Sequence, residues 1–117
     1  MAQVDVIAIQ LPETKWNEGS AFALPVYLRL RSTAAAATPT TIHWRIDCAT
    51  TGRQVVDWTS VSPASSFTIA VTGPYNAILN DSNEQEWKRL TVMTDEGLAT
   101  QFRETARWRV MNLYGSP

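Results

Sequence analysis

Arginine alternates with bulky apolar residues at three separated places in this chain: Leu28-Arg29-Leu30-Arg31, Trp44-Arg45-Ile46-Asp47 and Arg107-Trp108-Arg109-Val110. Successive side chains of a strand point to opposite faces. Each run therefore reads as a strand with one apolar face against a core and one cationic face turned to water or to a partner. The same period recurs elsewhere. Residues 4–11 are rich in Val and Ile and stop at Pro12, which cannot donate to a ladder. Residues 13–20 read as a polar loop. In residues 21–31, Leu24, Val26, Leu28 and Leu30 share one face, with Tyr27, Arg29 and Arg31 on the other. Pro25 predicts that the start of this strand lies at a sheet edge, where a missing N–H is tolerated.

Four consecutive alanines before Pro39 make too short a run to hold a helix and read as a loop. Alternation then returns, with Ile42, Trp44, Ile46 and Cys48 at the inward phase and His43, Arg45 and Asp47 outward. The turn signal Ala49-Thr50-Thr51-Gly52 joins this strand to residues 54–61 as a hairpin. Phe67, Ile69 and Val71 mark a fifth strand, which Gly73-Pro74 stops. Residues 75–86 are the least periodic part, a loop with a short helical turn or strand around residues 77–79. Residues 86–94 give a strand with Leu90 and Val92 inward and Lys88 at the inward phase or a strand end. Asp95-Glu96-Gly97 turns it into a last strand over residues 100–113, with Phe102, Ala106, Trp108 and Val110 at one phase and Arg103, Thr105, Arg107 and Arg109 at the other.

Seven strands punctuated by turns, with no convincing helix, predict an all-β chain: a single immunoglobulin-like β-sandwich of about seven antiparallel strands. A small closed β-barrel is the alternative. Trp44, early on the third strand, sits where immunoglobulin-like sandwiches favour a core Trp, but the cysteine pair of antibody domains is absent. With 117 residues, 44% of them hydrophobic, the chain reads as one domain, 1–117, able to bury a core without a metal or disulfide. Cys48 is alone and reads as a buried, inert thiol. Residues 1–11 lack the pattern of a signal peptide, and no run is long enough to span a membrane, which predicts folding in a cytoplasm. Asn80-Asp81-Ser82 matches a glycosylation sequon, read here as chance for want of a secretory route.

Catalytic constellations are hard to build from this inventory. His43 is the one histidine, on the polar phase of a strand beside Arg45, and reads as a solvated side chain. One His and one Cys cannot make the usual zinc sets, and Glu84, Glu86, Asp95 and Glu96 read as turn residues rather than calcium ligands. A non-enzyme with no cofactor and no metal is the expectation. What remains is arginine, which outnumbers lysine, with Lys15 and Lys88 the only lysines among 10 basic residues. If the third, sixth and seventh strands share a sheet, its outer face carries Arg45, Arg89, Arg103, Arg107 and Arg109 with Trp87 nearby. Arg29 and Arg31 lie on the opposite sheet. Arg45, Trp87, Arg89, Arg107 and Arg109 are accordingly the expected protein-docking residues, because Arg and Trp are enriched at binding hot spots. The competing reading is a strand face kept soluble and free of edge-to-edge aggregation by charge. The net charge of −1 disfavours nucleic acid as the partner.

Several local patterns together resemble a known group. They are Thr41-Ile-His-Trp-Arg-Ile-Asp47, Thr51-Gly52, Asp57-Trp58-Thr59, Ser62-Pro63-Ala64, Leu90-Thr91-Val92 and the ending Arg107-Trp-Arg-Val-Met-Asn-Leu113. The stretch over residues 40–114 resembles small tailed-bacteriophage virion structural proteins with an immunoglobulin-like sandwich. The resemblance carries over no catalytic residue. It implies a virion part made in the host cytoplasm: most directly a capsid decoration or cement protein docked on the major capsid protein, otherwise a neck or tail component. It also implies a homo-oligomer in the particle, with neither membrane nor nucleic acid as partner. From the residues themselves a carbohydrate- or receptor-binding module stays open, with Trp16, Trp58, Trp87 and Tyr75 as sugar platforms.

Overall fold

The computed structural model describes residues 4–113, so the expected domain span of 1–117 runs past the described residues at both ends. Eight strands form two sheets that pack face to face. One sheet holds β1 (Val6–Ile9), β3 (Phe22–Arg29) and β6 (Ser66–Val71) in the order β1-β3-β6. The other holds β2 (Lys15–Asn17), β4 (Ile42–Cys48), β5 (Gln54–Val61), β7 (Gln85–Thr94) and β8 (Phe102–Met111) in the order β2-β8-β7-β4-β5. The sheets do not close on each other, so the chain is a sandwich and the barrel alternative falls. All seven expected strands are present. As expected, the third, sixth and seventh of them, β4, β7 and β8, are neighbours in one sheet.

The alternation maps directly onto burial. Leu24, Val26 and Leu28 of β3, Ile46 of β4, Leu90 and Val92 of β7 and Trp108 and Val110 of β8 are all fully buried. Ile42, Ile69 and Val71 are nearly so, and the Trp44 side chain also faces the core. Each such aliphatic side chain contributes about 1.5–3 kcal/mol by leaving water. Cys48 is buried at the inward phase of β4, as its period implied. The alanine run is a loop, and it folds back onto the end of β3 with Ala37 packed into the core.

Four expectations need correction. Residues 13–20 were read as a loop, yet Lys15–Asn17 form β2, an eighth strand that pairs parallel to β8. Trp16 anchors it there, its ring stacked on Phe22 at 4.3 Å, while Phe22 meets the edge of Trp108. Pro25 lies in β3, the central strand of its sheet and not an edge. Its carbonyl accepts from Gln10 N–H at 2.9 Å, so its ring nitrogen also faces the chain just beyond β1, and the ladder to β6 needs no donor from it. The helical turn expected around residues 77–79 lies earlier, as a 3-10 turn over Gly73–Asn76.

The fourth correction leads into the core. Glu86, read as a turn residue, is the second residue of β7 and is fully buried together with Lys88, two positions on. Its Oε1 accepts from Leu79 N–H at 2.8 Å and from Lys88 Nζ at 3.3 Å. Its Oε2 accepts from Asn80 N–H at 2.9 Å and from Asn83 Nδ2 at 3.0 Å. Lys88 Nζ also donates to the Ala77 carbonyl at 2.7 Å. Beside them the Trp108 indole donates to Asn76 Oδ1 at 2.7 Å, and Asn76 Nδ2 donates to the Ser20 carbonyl at 2.7 Å. An aperiodic loop is thus held to the sheet by buried charges whose donors and acceptors are satisfied, as burial demands.

Candidate functional site

Register decides what the outer face of the five-stranded sheet presents. Across β4, β7 and β8 the outward residues align in rows: Asp47 with Arg89 and Arg107, Arg45 with Thr91 and Thr105, and His43 with Met93 and Arg103. Trp87 lies opposite Arg109, which in turn lies opposite Lys15 of β2. Directly opposite residues of neighbouring strands share a face with their Cβ atoms about 4.5–5.5 Å apart. The period therefore concentrates arginines from three strands on one surface.

The middle of this surface is concave. A groove of about 900 Å³ is lined by Arg45, Asp47, Trp58, Arg89, Thr91, Arg103, Thr105 and Arg107, and the chain from Cys48 through Ala49 to Gly52 borders it. Trp58 reaches it because β5 pairs irregularly with β4 between Trp44 and Asp47. Four guanidinium groups thus line a groove that holds one carboxylate. Asp47 accepts from Arg45 Nε at 2.9 Å and from Arg45 Nη2 at 2.6 Å, and Arg89 Nη2 stands 3.9 Å from its other side. These hydrogen bonds to Asp47 raise the Arg45 pKa, against a smaller lowering by burial. Arg45 also lies over the Trp58 ring, 5.5 Å from its centroid.

The remaining arginines are not neutralised. Among the described residues no carboxylate is within ion-pair distance of Arg103, Arg107 or Arg109. Arg107 and Arg109 each lie 5.6 Å from the centroid of Trp87, and Arg109 also donates to Gln85 at 3.3 Å. Arg89 and Arg107 face each other across β7 and β8. Like charges placed directly opposite on a sheet are destabilising.

Of the five expected docking residues, the groove gathers Arg45, Arg89 and Arg107. Trp87 and Arg109 lie beside it, outside its lining, with Trp87 exposed and flanked by two guanidiniums. Asp47, Thr91 and Thr105 were not named as docking residues, and Trp58 was named only as a sugar platform. Asp47, Thr91 and Thr105 could have been found by following the outward phase from Arg45, Arg89 and Arg107. The place of Trp58 beside Arg45 could not, since it depends on how β5 pairs with β4. Arg29 lies on β3 of the other sheet, as expected, and Arg31 just past its end.

The rest of the chemical inventory is dispersed. His43 Nδ1 sits 3.5 Å from Glu96 at the far end of the sheet. Among the described residues no group of three His, Cys, Asp or Glu side chains is placed to hold a metal ion, and no helix is long and apolar enough to cross a membrane. The proposed sugar platforms do not converge. Trp16 is stacked on Phe22, Tyr75 packs against the core, Trp58 has the Arg45 guanidinium over its ring, and Trp87 is exposed with Arg107 and Arg109 beside it. Comparison of the chain with family models, with curated proteins and with solved structures returns no match.

Proposed function

We propose that this chain is a non-catalytic docking protein, a structural part of a tailed-phage virion that seats on the capsid lattice as a decoration or cement protein. The anchor is the arginine face of the five-stranded sheet. The observation that carries the reading is the excess of guanidinium groups over carboxylates in the groove, with Arg89 and Arg107 held face to face. A face kept only for solubility would gain nothing from opposed like charges, whereas an anionic partner surface set between them removes the repulsion. A repeating lattice supplies many such contacts at once, so each need only be modest. The lack of a shared aromatic platform speaks against carbohydrate as the ligand.

Mass spectrometry of purified particles tests the assignment. A copy number near that of the capsid subunit is expected. A small multiple of three or six moves the chain to the neck or tail, and its absence from particles overturns the reading. The face is tested by Arg107→Glu with Arg109→Glu, both outward side chains. The folded double variant should be left out of particles, and normal incorporation would show that the anchor lies elsewhere.

A further inference from the structure

We propose that the groove takes an extended acidic polypeptide segment, with one carboxylate between Arg89 and Arg107, a second at Arg103, and the intervening backbone over Thr91 and Thr105. The proposal rests on the docking reading above and names what the arginine face docks on. Asp47 shows how a carboxylate fits this surface, since it accepts two hydrogen bonds from Arg45 while Arg89 approaches from the side at 3.9 Å. Arg89 and Arg107 lie directly opposite on adjacent strands and both line the groove; Asp47, 3.9 Å from Arg89, is the acid of this row, and Arg107 has no carboxylate within ion-pair distance among the described residues. Planar guanidinium groups bind carboxylates by paired, charge-assisted hydrogen bonds.

Spacing along β8 sets the length of the segment. Arg103 and Arg107 are separated by four strand residues, which at about 3.4 Å per residue is about 13–14 Å. A partner in extended conformation covers that distance with acidic residues four apart, both pointing to the same side. Between the two cationic positions lies the opposed pair Thr91 and Thr105, whose hydroxyls can donate to or accept from a main chain. The site asks for an acid, a polar stretch and an acid.

A single-stranded nucleic acid is the rival polyanion, and two observations stand against it. The chain's net charge is −1, so it lacks the basic excess from which phosphate binding draws most of its strength. Single-strand binders also use aromatic rings as stacking platforms. Here Arg45 lies over Trp58, and Trp87 carries Arg107 and Arg109.

The test is fluorescence anisotropy at low ionic strength. The probe is a labelled peptide about ten residues long with two glutamates four apart in a Ser/Thr background, set against its Gln counterpart and an oligothymidylate of similar length. The glutamate peptide should bind, the Gln peptide should bind at least about tenfold more weakly, and Arg103→Gln with Arg107→Gln should cost about tenfold or more. Arg107→Glu is the second variant. It places an acid opposite Arg89 and keeps the fold while filling the site from within, so it should also abolish peptide binding. Tighter binding of the oligothymidylate, unchanged peptide affinity in the Gln double variant, or no peptide binding at millimolar concentration would each overturn the proposal. Incorporation of the Gln double variant into particles separates the two readings. If it is excluded although the peptide never binds, the docking face stands and the acidic segment falls. If it is incorporated normally, the docking face itself is wrong.

Discussion

Replacing Glu86 by glutamine keeps the shape of the side chain and removes its charge. The carboxylate serves five donors: Leu79 N–H, Asn80 N–H, Asn83 Nδ2, Lys88 Nζ and, more weakly, Cys48 Sγ at 3.7 Å. A glutamine offers one acceptor oxygen, and its amide would turn two N–H groups toward donors. The Lys88 ammonium, fully buried, would keep the Ala77 carbonyl but lose its ion-pair partner among the described residues. Breaking a buried pair in this way costs about 3–5 kcal/mol, because the remaining charge stays buried. Single domains are stable by about 5–15 kcal/mol in all, so Glu86→Gln should lose a large part of the stability. Urea unfolding followed by Trp fluorescence measures it, Trp108 being fully buried next to the cluster. Adding Lys88→Met to Glu86→Gln should recover part of the loss, since no charge is then stranded, though not the bonds to Leu79 and Asn80. A loss below about 0.5 kcal/mol in Glu86→Gln, with an unchanged denaturant slope, would refute the view that this pair holds the loop over residues 77–83 to the sheet.

Two further outcomes follow from the same region. Burial pushes the Glu86 pKa up, but the bonds from Leu79, Asn83 and Asn80 and the charge of Lys88 outweigh it and bring the pKa below the ordinary 4.5. The folded value being the lower one, the stability Glu86 contributes is complete above the unfolded-chain value and drains as pH falls through the folded value; urea midpoints measured from pH 6 downward should fall below about pH 4.5, and less steeply in Glu86→Gln. Asn76→Ala removes the acceptor of the Trp108 indole and the donor to Ser20, and should cost about 1–3 kcal/mol per buried group left unsatisfied, with a changed Trp108 emission maximum as its spectroscopic mark.

Much of the architecture was legible because a period of two is a local property. Arg45, Asp47, Arg89, Arg103, Arg107 and Arg109 reach one face because strands alternate and because β4, β7 and β8 are neighbours. What failed to show depends on partners distant in sequence. Lys15-Trp16-Asn17 is too short for a period, and it is a strand only because β8 supplies a parallel edge and Phe22 a ring to stack on. Glu86 stands at the same phase as Leu90 and Val92, so its inward direction could be read. That a carboxylate would stay there could not, because its burial depends on amide donors from an aperiodic loop. Pro25 misled in a similar way: proline marks a missing donor, and whether this matters depends on where the next strand happens to end.

The pairing of β2 with β8 joins Lys15 to Arg109 and so brings together nearly opposite ends of the described chain. Such a contact closes a very long loop, and its entropic cost is offset only once other pairings have already brought the two ends close. The hairpin of β7 and β8, by contrast, needs only the short turn after Thr94. The order of assembly is therefore written into the topology: the hairpin early, the sheets next, and β2 settling last over the Trp16, Phe22 and Trp108 rings. Reversed, that sequence makes β2 the latch of the sandwich, the first segment to lift when the fold loosens. The Glu18 amide, which donates to the Met111 carbonyl at the end of β2, would be among the first of the sheet amides to exchange with solvent.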